Sequence, residues 1–262
     1  MSSQSAGLLH HPGFMKLWIG QTISQFGSKI TRTALPLTAV LVLEATPVQM
    51  GLLAALGSAP VLVVGLLAGV WVDRLRRRPI LIAADLGRAV LLGLIPVSAL
   101  LGLLRIEQLY IAALLVGILT VFFDVAYQSF LPSLVDREQI VEGNSKLGVS
   151  DSVTEIGGPA LAGGLIQLVS APITILLDAF SFLFSALFVG LIDISEPLPT
   201  PSEQRKSVWR DVVEGLRVVL GNPLLRAIAG SSSTFNFFGG FFGALYGLYA
   251  IRELGIEPAI LG

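Results

Sequence analysis

Apolar residues in this chain run on for long enough to cross a lipid bilayer, and they do so again and again. A spanning helix needs about 20 mostly apolar residues. Seven segments meet that length: 17–43, 48–72, 79–104, 109–130, 147–169, 173–192 and 224–250. None alternates with the period of two that a barrel strand requires, so helices are expected throughout. The charged fraction agrees. It is 13%, with a mean hydropathy of +0.80, whereas a soluble domain carries about 25%. The expected class is an all-α membrane protein.

The breaks between the runs set the expected orientation. Twelve basic residues fall at alternate breaks or the helix ends beside them: Lys16, Arg74, Arg76, Arg77, Arg78, Arg137, Lys146, Arg205, Lys206, Arg210, Arg217 and Arg226. The opposite loops hold only Arg105 and Arg252. Basic residues are retained on the cytoplasmic side. The expected arrangement is therefore multi-pass in the cell (inner or plasma) membrane, with the N-terminus in the cytoplasm. The start lacks the short apolar core of a signal peptide. His10 and His11 read as a solvated tail. A net charge of −1 offers nothing to nucleic acid, and the lack of cysteine excludes disulfides and thiolate metal sites.

Residues 193–222 form the longest polar stretch. Within it, Val208, Val212, Leu216 and Val219 share a helical face, as in a helix lying on a membrane surface. The run after it starts like the first one. His11-Pro12, Lys16 and Gly20 are matched by Asn222-Pro223, Arg226 and Gly230, and Pro47 and Gly51 by Pro258 and Gly262. This suggests a parallel repeat of a six-helix unit, a pattern found in secondary transporters. On that reading the domains are 1–192, a six-helix bundle; 193–222, a cytoplasmic linker; and 223–262, the start of a second bundle. The chain is then expected to be a fragment whose missing partner is its own C-terminal bundle.

The break between the second and third runs is Gly69-Val-Trp-Val-Asp73-Arg74-Leu-Arg76-Arg77-Arg78. It resembles the loop 2–3 signature of the major facilitator superfamily, with Arg76 where a glycine is usual. Leu17-Trp18-x-Gly20-Gln21, Asp85-Leu86-x-Arg88-Ala89 and Asp178-Ala179-x-Ser181-Phe182 resemble the siderophore- and macrolide-exporter branch. The resemblance covers the whole chain. It implies a six-helix N-terminal bundle of the major facilitator type plus a seventh helix, where full members have twelve. It also implies a conformational latch of Gly69, Asp73, Arg74, Arg77 and Arg78. Asp73 would accept from a helix N-terminus of the other bundle, where the macrodipole favours an anion. Two departures stand out. Run 109–130 lacks the arginine that many proton-coupled members carry in helix four. In Gly158-Pro159-x-x-Ala162-Gly163 the exporter pattern of helix five is partial, with Thr154 where glycine is usual.

Charges inside the runs mark the candidate site. Gln21, Gln25, Ser28, Lys29 and Arg32 fall on one face of the first helix. Buried membrane charges face a bundle interior or a water-filled cavity. Either Lys29 and Arg32 pair with Asp124, Asp151 or Glu155, or the stripe lines a substrate cavity together with Asn236. Asp85 and Arg88, one turn apart, read as a structural pair, and Asp178 as a structural hydrogen-bond acceptor. Asp124 and Glu155 are the candidate proton carriers. Gly158, Pro159 and Gly163 read as close-packing positions or a flexing point in helix five.

No phosphate-binding Gly-x-x-x-x-Gly-Lys loop, nucleophile elbow or metal-ligand cluster occurs, so neither enzymatic chemistry nor direct ATP drive is expected. The sequence points to a secondary active transporter exporting a small drug-like, siderophore-like or otherwise amphiphilic or anionic molecule. Its expected partners are that substrate and the lipid bilayer. No cofactor is expected beyond a coupling ion, H+. A non-transporting seven-helix scaffold or receptor-like protein is the alternative.

Overall fold

A computed structural model describes residues 7–72, 74–194 and 208–257. Among them are eight α-helices: α1 (Pro12–Leu41), α2 (Pro47–Val72), α3 (Arg77–Leu100), α4 (Ile106–Leu134), α5 (Ile140–Leu168), α6 (Ala171–Gly190), α7 (Val208–Gly221) and α8 (Pro223–Arg252). No strand occurs among the described residues. Four helices, α2, α3, α4 and α6, hold stretches long and apolar enough to cross a membrane. The fold is thus all-helical and of membrane type. Helices α1, α5 and α8 have the length, at 30, 29 and 30 residues, but charged and small polar residues dilute their apolar character.

Helices α1 and α8 start where the sequence supplies a side-chain cap. His11 is not a free tail residue. Its Nδ1 accepts from the Phe14 amide at 3.1 Å, with Pro12 in the first turn. Asn222 does the same for α8, its Oδ1 accepting from Leu224 at 2.9 Å and Leu225 at 3.3 Å before Pro223. A side-chain acceptor followed by proline satisfies amides that the helix leaves open. Helices α1 and α8 therefore share both start and length. Helix α3 begins two residues before the apolar run, at Arg77. Arginine in a first turn opposes the helix dipole, and Arg78 instead reaches across to the end of α6. There Nε donates to the Val189 carbonyl at 3.2 Å and Nη2 to that of Gly190. Lys16 Nζ donates to the neighbouring Leu191 carbonyl at 2.7 Å. Two cations thus cover the negative end of the α6 dipole.

Helix α1 packs on α6 and α5, α6 on α3, α3 on α4, and α4 on α2. Small residues allow the closest approaches. A Cβ on Gly27 of α1 would overlap Asp178 and Ser181 of α6, and one on Gly158 of α5 would overlap Lys29 of α1. The buried apolar side chains form two clusters. One, around Leu37, Ile95, Leu109 and Ile175, fills the end of the bundle near the α1–α2, α3–α4 and α5–α6 turns. The other, around Phe14, Leu81, Phe130 and Ile192, fills the opposite end. Between them lies a polar layer of Gln21, Ser24, Asp85, Arg88, Asp178, Ser181 and Ser185. Large apolar residues such as Leu62, Val63, Leu94 and Val97 are exposed, as lipid-facing positions are. Helix α8 meets the bundle mainly through its last turns, where Leu248 joins the first apolar cluster.

Candidate functional site

A cavity of about 790 Å³ opens beside the polar layer, walled by α1, α2, α4, α6 and α8. That volume lies within the range of about 300–1,000 Å³ typical of small-molecule sites. Most of the wall is apolar: Leu35, Leu53, Val61, Val116, Phe182 and Phe235. Its ionisable lining groups are Arg32, Asp124 and Asp178, and Ser28, Thr31, Ser58, Thr120 and Asn236 add neutral polar groups. Gly239, Gly240 and Gly243 give α8 a smooth face there. The Asn236 amide donates to the Ser232 carbonyl one turn back at 2.8 Å.

Asp178 joins this wall to a buried charge cluster that extends behind it. Asp85 is 0% exposed, Asp178 1% and Arg88 4%. An Arg88 nitrogen donates to Asp85 at 2.5 Å and another to the Thr120 hydroxyl at 3.4 Å. The guanidinium lies between two aromatic faces, 4.3 Å from the Phe123 ring centre and 4.1 Å from that of Phe182. Cation–π contacts of this kind are strongest when desolvated, as here. Asp85, Asp124 and Asp178 all lie within electrostatic reach of Arg88. Several polar atoms of this layer are buried without a hydrogen-bond partner, among them Gln21 Nε2, Gln25 Oε1, Thr31 Oγ1, Asp85 Oδ2 and Ser185 Oγ.

The sequence-expected residues separate into distinct places. Arg32, Asn236 and Asp124 share the cavity wall. Gln21, Gln25 and Lys29 are not among its lining residues. Gln21 is buried in the polar layer, and Lys29 turns to α5. There it pairs with Glu155, and with Asp151 at 3.6 Å. Gly158 packs on the stem of Lys29. Gly163 is buried, and α5 remains one helix through Pro159. On the same α1–α5 seam, Trp18 Nε1 donates to Ser150 Oγ at 2.8 Å. Of the latch residues, Gly69 is half-buried, Arg74 is exposed, and Arg77 is half-buried with its Nε unpartnered. Arg78 is engaged at the end of α6. Asp73 lies outside the described residues. Sequence reasoning missed Thr31, Thr120, Phe123 and Phe182. Nothing in the sequence pattern marks the aromatic pair, because Phe123 and Phe182 meet Arg88 only through the packing of α4 and α6 on α3.

Helices with apolar outer surfaces, enclosing a mostly apolar cavity and a buried ion pair, define an integral membrane protein. The chain belongs to the Major Facilitator Superfamily, whose family model matches residues 17–262. It is 29% identical to an uncharacterized MFS-type transporter, YfiS, of Bacillus subtilis, over 81% of this chain and 50% of that protein. It is 30% identical to the multidrug efflux pump Tap of Mycolicibacterium fortuitum, over 78% and 51%. It is 25% identical to macrolide efflux protein A of Streptococcus pyogenes, over 82% and 53%. The chain thus spans about half the length of the curated relatives it matches. Its family is one of transporters and not of enzymes.

Proposed function

We propose that the chain is the N-terminal part of a secondary active exporter of a small drug-like, siderophore-like or other amphiphilic molecule. One observation carries this reading. The 790 Å³ cavity sets Arg32, Asp124, Asp178 and a few neutral polar groups, Asn236 among them, into a mostly apolar wall, which suits a ligand with a greasy body and a few polar groups. The efflux-pump relatives support the direction of transport. Residues 1–192 form the first bundle and 193–222 the cytoplasmic linker. Residues 223–262 begin a second bundle that completes the far wall of the cavity. The N-terminus is cytoplasmic, as the distribution of lysine and arginine suggests.

Alternating access follows from a rocking of the two bundles about this midplane site. Asp73 and the arginines of the α2–α3 connection hold one access state and release in the other, a differential contact of the kind any switch needs. Protons drive the cycle.

The test uses the intact protein in inside-out vesicles with an imposed proton gradient. The probes are a macrolide, a lipophilic cationic dye and a catecholate siderophore. The expected result is gradient-dependent accumulation of at least one probe, abolished by a protonophore. A probe that binds and raises the melting temperature, yet crosses no faster than in empty vesicles, would favour the scaffold or receptor-like alternative.

A further inference from the structure

A smaller recess of about 180 Å³ adjoins the main cavity where α8 meets α1 and α2. The two share Arg32, Pro36, Met50, Gly243 and Ala244, so Arg32 stands at their junction. Their chemistry differs. The main cavity carries two carboxyl groups, Asp124 and Asp178. Among the described residues the recess carries none. Its polar lining side chains are Arg32, Thr33 and Tyr246, and all three can donate a hydrogen bond. The rest of its wall is apolar or glycine, with Leu37 and Val40 from α1, Met50 from α2 and Gly247 from α8.

Arg32 is exposed at this junction with its donors open. No hydrogen bond or ion pair joins its guanidinium to a described residue. Its charged neighbour is Glu155, whose carboxylate Lys29 already binds. Asp124 and Asp178 have Arg88 as their neighbouring cation. A guanidinium stays charged in any protein setting and presents its donors as a planar fork. Within a spanning helix such a charge faces a cavity or a partner. The group that fits the fork is a carboxylate, which takes two parallel N–H···O bonds. Gly243 and Gly247, one turn apart on α8, border the recess without filling it. A space of this size holds an anionic end group. It does not hold a drug-sized body, for which sites run to about 300–1,000 Å³.

We propose that this recess is an anion subsite of the cavity. Arg32 binds a carboxylate, or an anionic oxygen group of that size, at one end of the substrate, and Thr33 and Tyr246 flank it as further donors. The apolar body of the substrate lies in the main cavity. The substrate class is then an amphiphile with a terminal anion, held with that end toward the α1–α2 turn. The main cavity is the poorer place for the anion, because its own wall carries Asp124 and Asp178 while Arg88 is buried behind them. Lys29, turned to α5, has no share in the subsite. This names a substrate class for the exporter reading of the cavity and rests on that reading for its physiological role.

The test compares two probes with one body, dansyl-ε-aminocaproic acid and its primary amide. Each is titrated by fluorescence against the intact protein in nanodiscs of zwitterionic lipid, with empty nanodiscs as the blank. The acid should bind about ten- to a hundredfold tighter than the amide, the range of charge-assisted hydrogen bonds. Arg32→Gln should bring the acid down to the affinity of the amide and leave the amide unchanged. Arg32→Lys keeps the charge without the fork and should retain only part of the preference. Tyr246→Phe should weaken the acid alone, by about two- to tenfold. Lys29→Gln should leave the preference intact. Arg32 is exposed, so the Gln variant should melt near the parent; should it fail to fold, the reduced preference of Arg32→Lys carries the assignment. Equal affinity for acid and amide in the parent, a full preference in either Arg32 variant, or its loss in Lys29→Gln would each overturn the proposal. A full preference in Tyr246→Phe would overturn the placement in the recess. Equal affinity in the parent together with a large loss of stability in Arg32→Gln would assign Arg32 to a carboxylate of the second bundle instead. Binding needs no gradient, so the two readings fail separately. If a cationic dye is exported while the parent ignores the charge of the acid, the subsite fails and the exporter stands. If the acid binds through Arg32 and no probe crosses, the exporter fails and the subsite stands.

Discussion

Truncating Asp85 to alanine should cost more than any surface change in this bundle, and a double-mutant cycle with Arg88 shows why. Arg88 is 4% exposed, with Asp85 at 2.5 Å and Thr120 at 3.4 Å as its hydrogen-bond partners. Removing one partner of a buried pair costs about 3–5 kcal/mol, because it strands the other charge. The rings of Phe123 and Phe182, at 4.3 and 4.1 Å, return about 2 kcal/mol of that, the value of a desolvated cation–π contact. Asp85→Ala should therefore lose about 2 kcal/mol. Arg88→Leu should lose about 2 kcal/mol, since a lone Asp85 can take up a proton. Replacing both removes the stranded charge and should cost only about 1–2 kcal/mol. The coupling energy is then about 2–3 kcal/mol, or roughly two decades in the unfolding constant. Reversible unfolding in mixed micelles with increasing SDS measures it. Additive single effects, within about 0.5 kcal/mol, would refute the claim that the pair and its rings act as one unit.

Trp18→Phe deletes the indole donor to Ser150 and should lower stability by about 1 kcal/mol, read in the same titration. Gly158→Val places a branched side chain against the Lys29 stem; the overpacking should cost about 1–3 kcal/mol and loosen the Lys29–Glu155 pair, visible as faster hydrogen exchange in α5. Ser170 joins α5 to α6 with φ 130° and ψ 158°, a region open to glycine almost alone. Ser170→Gly should raise stability by about 1 kcal/mol, seen as a higher melting temperature.

The all-helical, membrane-type fold was legible in long apolar runs, four of which are apolar enough to cross a membrane outright. Even the likeness of α1 and α8 could be read from His11-Pro12 and Asn222-Pro223. The start of α3 was misplaced by two residues, because Arg77 and Arg78 look like loop and their use at the end of α6 is a tertiary fact. The same limit applies to the site. Charges on the first helix were visible, but helical spacing could not say that Lys29 turns to α5 while Arg32 meets the cavity. Small side chains carry no chemical signal, so Ser58, Gly239 and Gly240 became wall residues only once α2 and α8 were placed. Asp178 reads as an ordinary acceptor in sequence. Folding gathers it with Asp85 and Asp124 around Arg88, which helical spacing alone does not show.

The central claim is that the cavity between α1, α2, α4, α6 and α8 is a water-filled, alternately accessible substrate site. The chain has no cysteine, so single replacements within it report cleanly once any cysteine outside it is replaced by serine. Ser58→Cys lies on the cavity wall, and Val63→Cys lies on the exposed apolar face of the same helix and outside that wall. A membrane-impermeant thiol reagent, applied to opposite faces of right-side-out and inside-out vesicles of the intact protein, should modify Ser58→Cys and spare Val63→Cys. The favoured side should change when a proton gradient is imposed. Equal inertness of the two cysteines from both sides, or reactivity at Ser58→Cys fixed to one side under every gradient, would contradict the account.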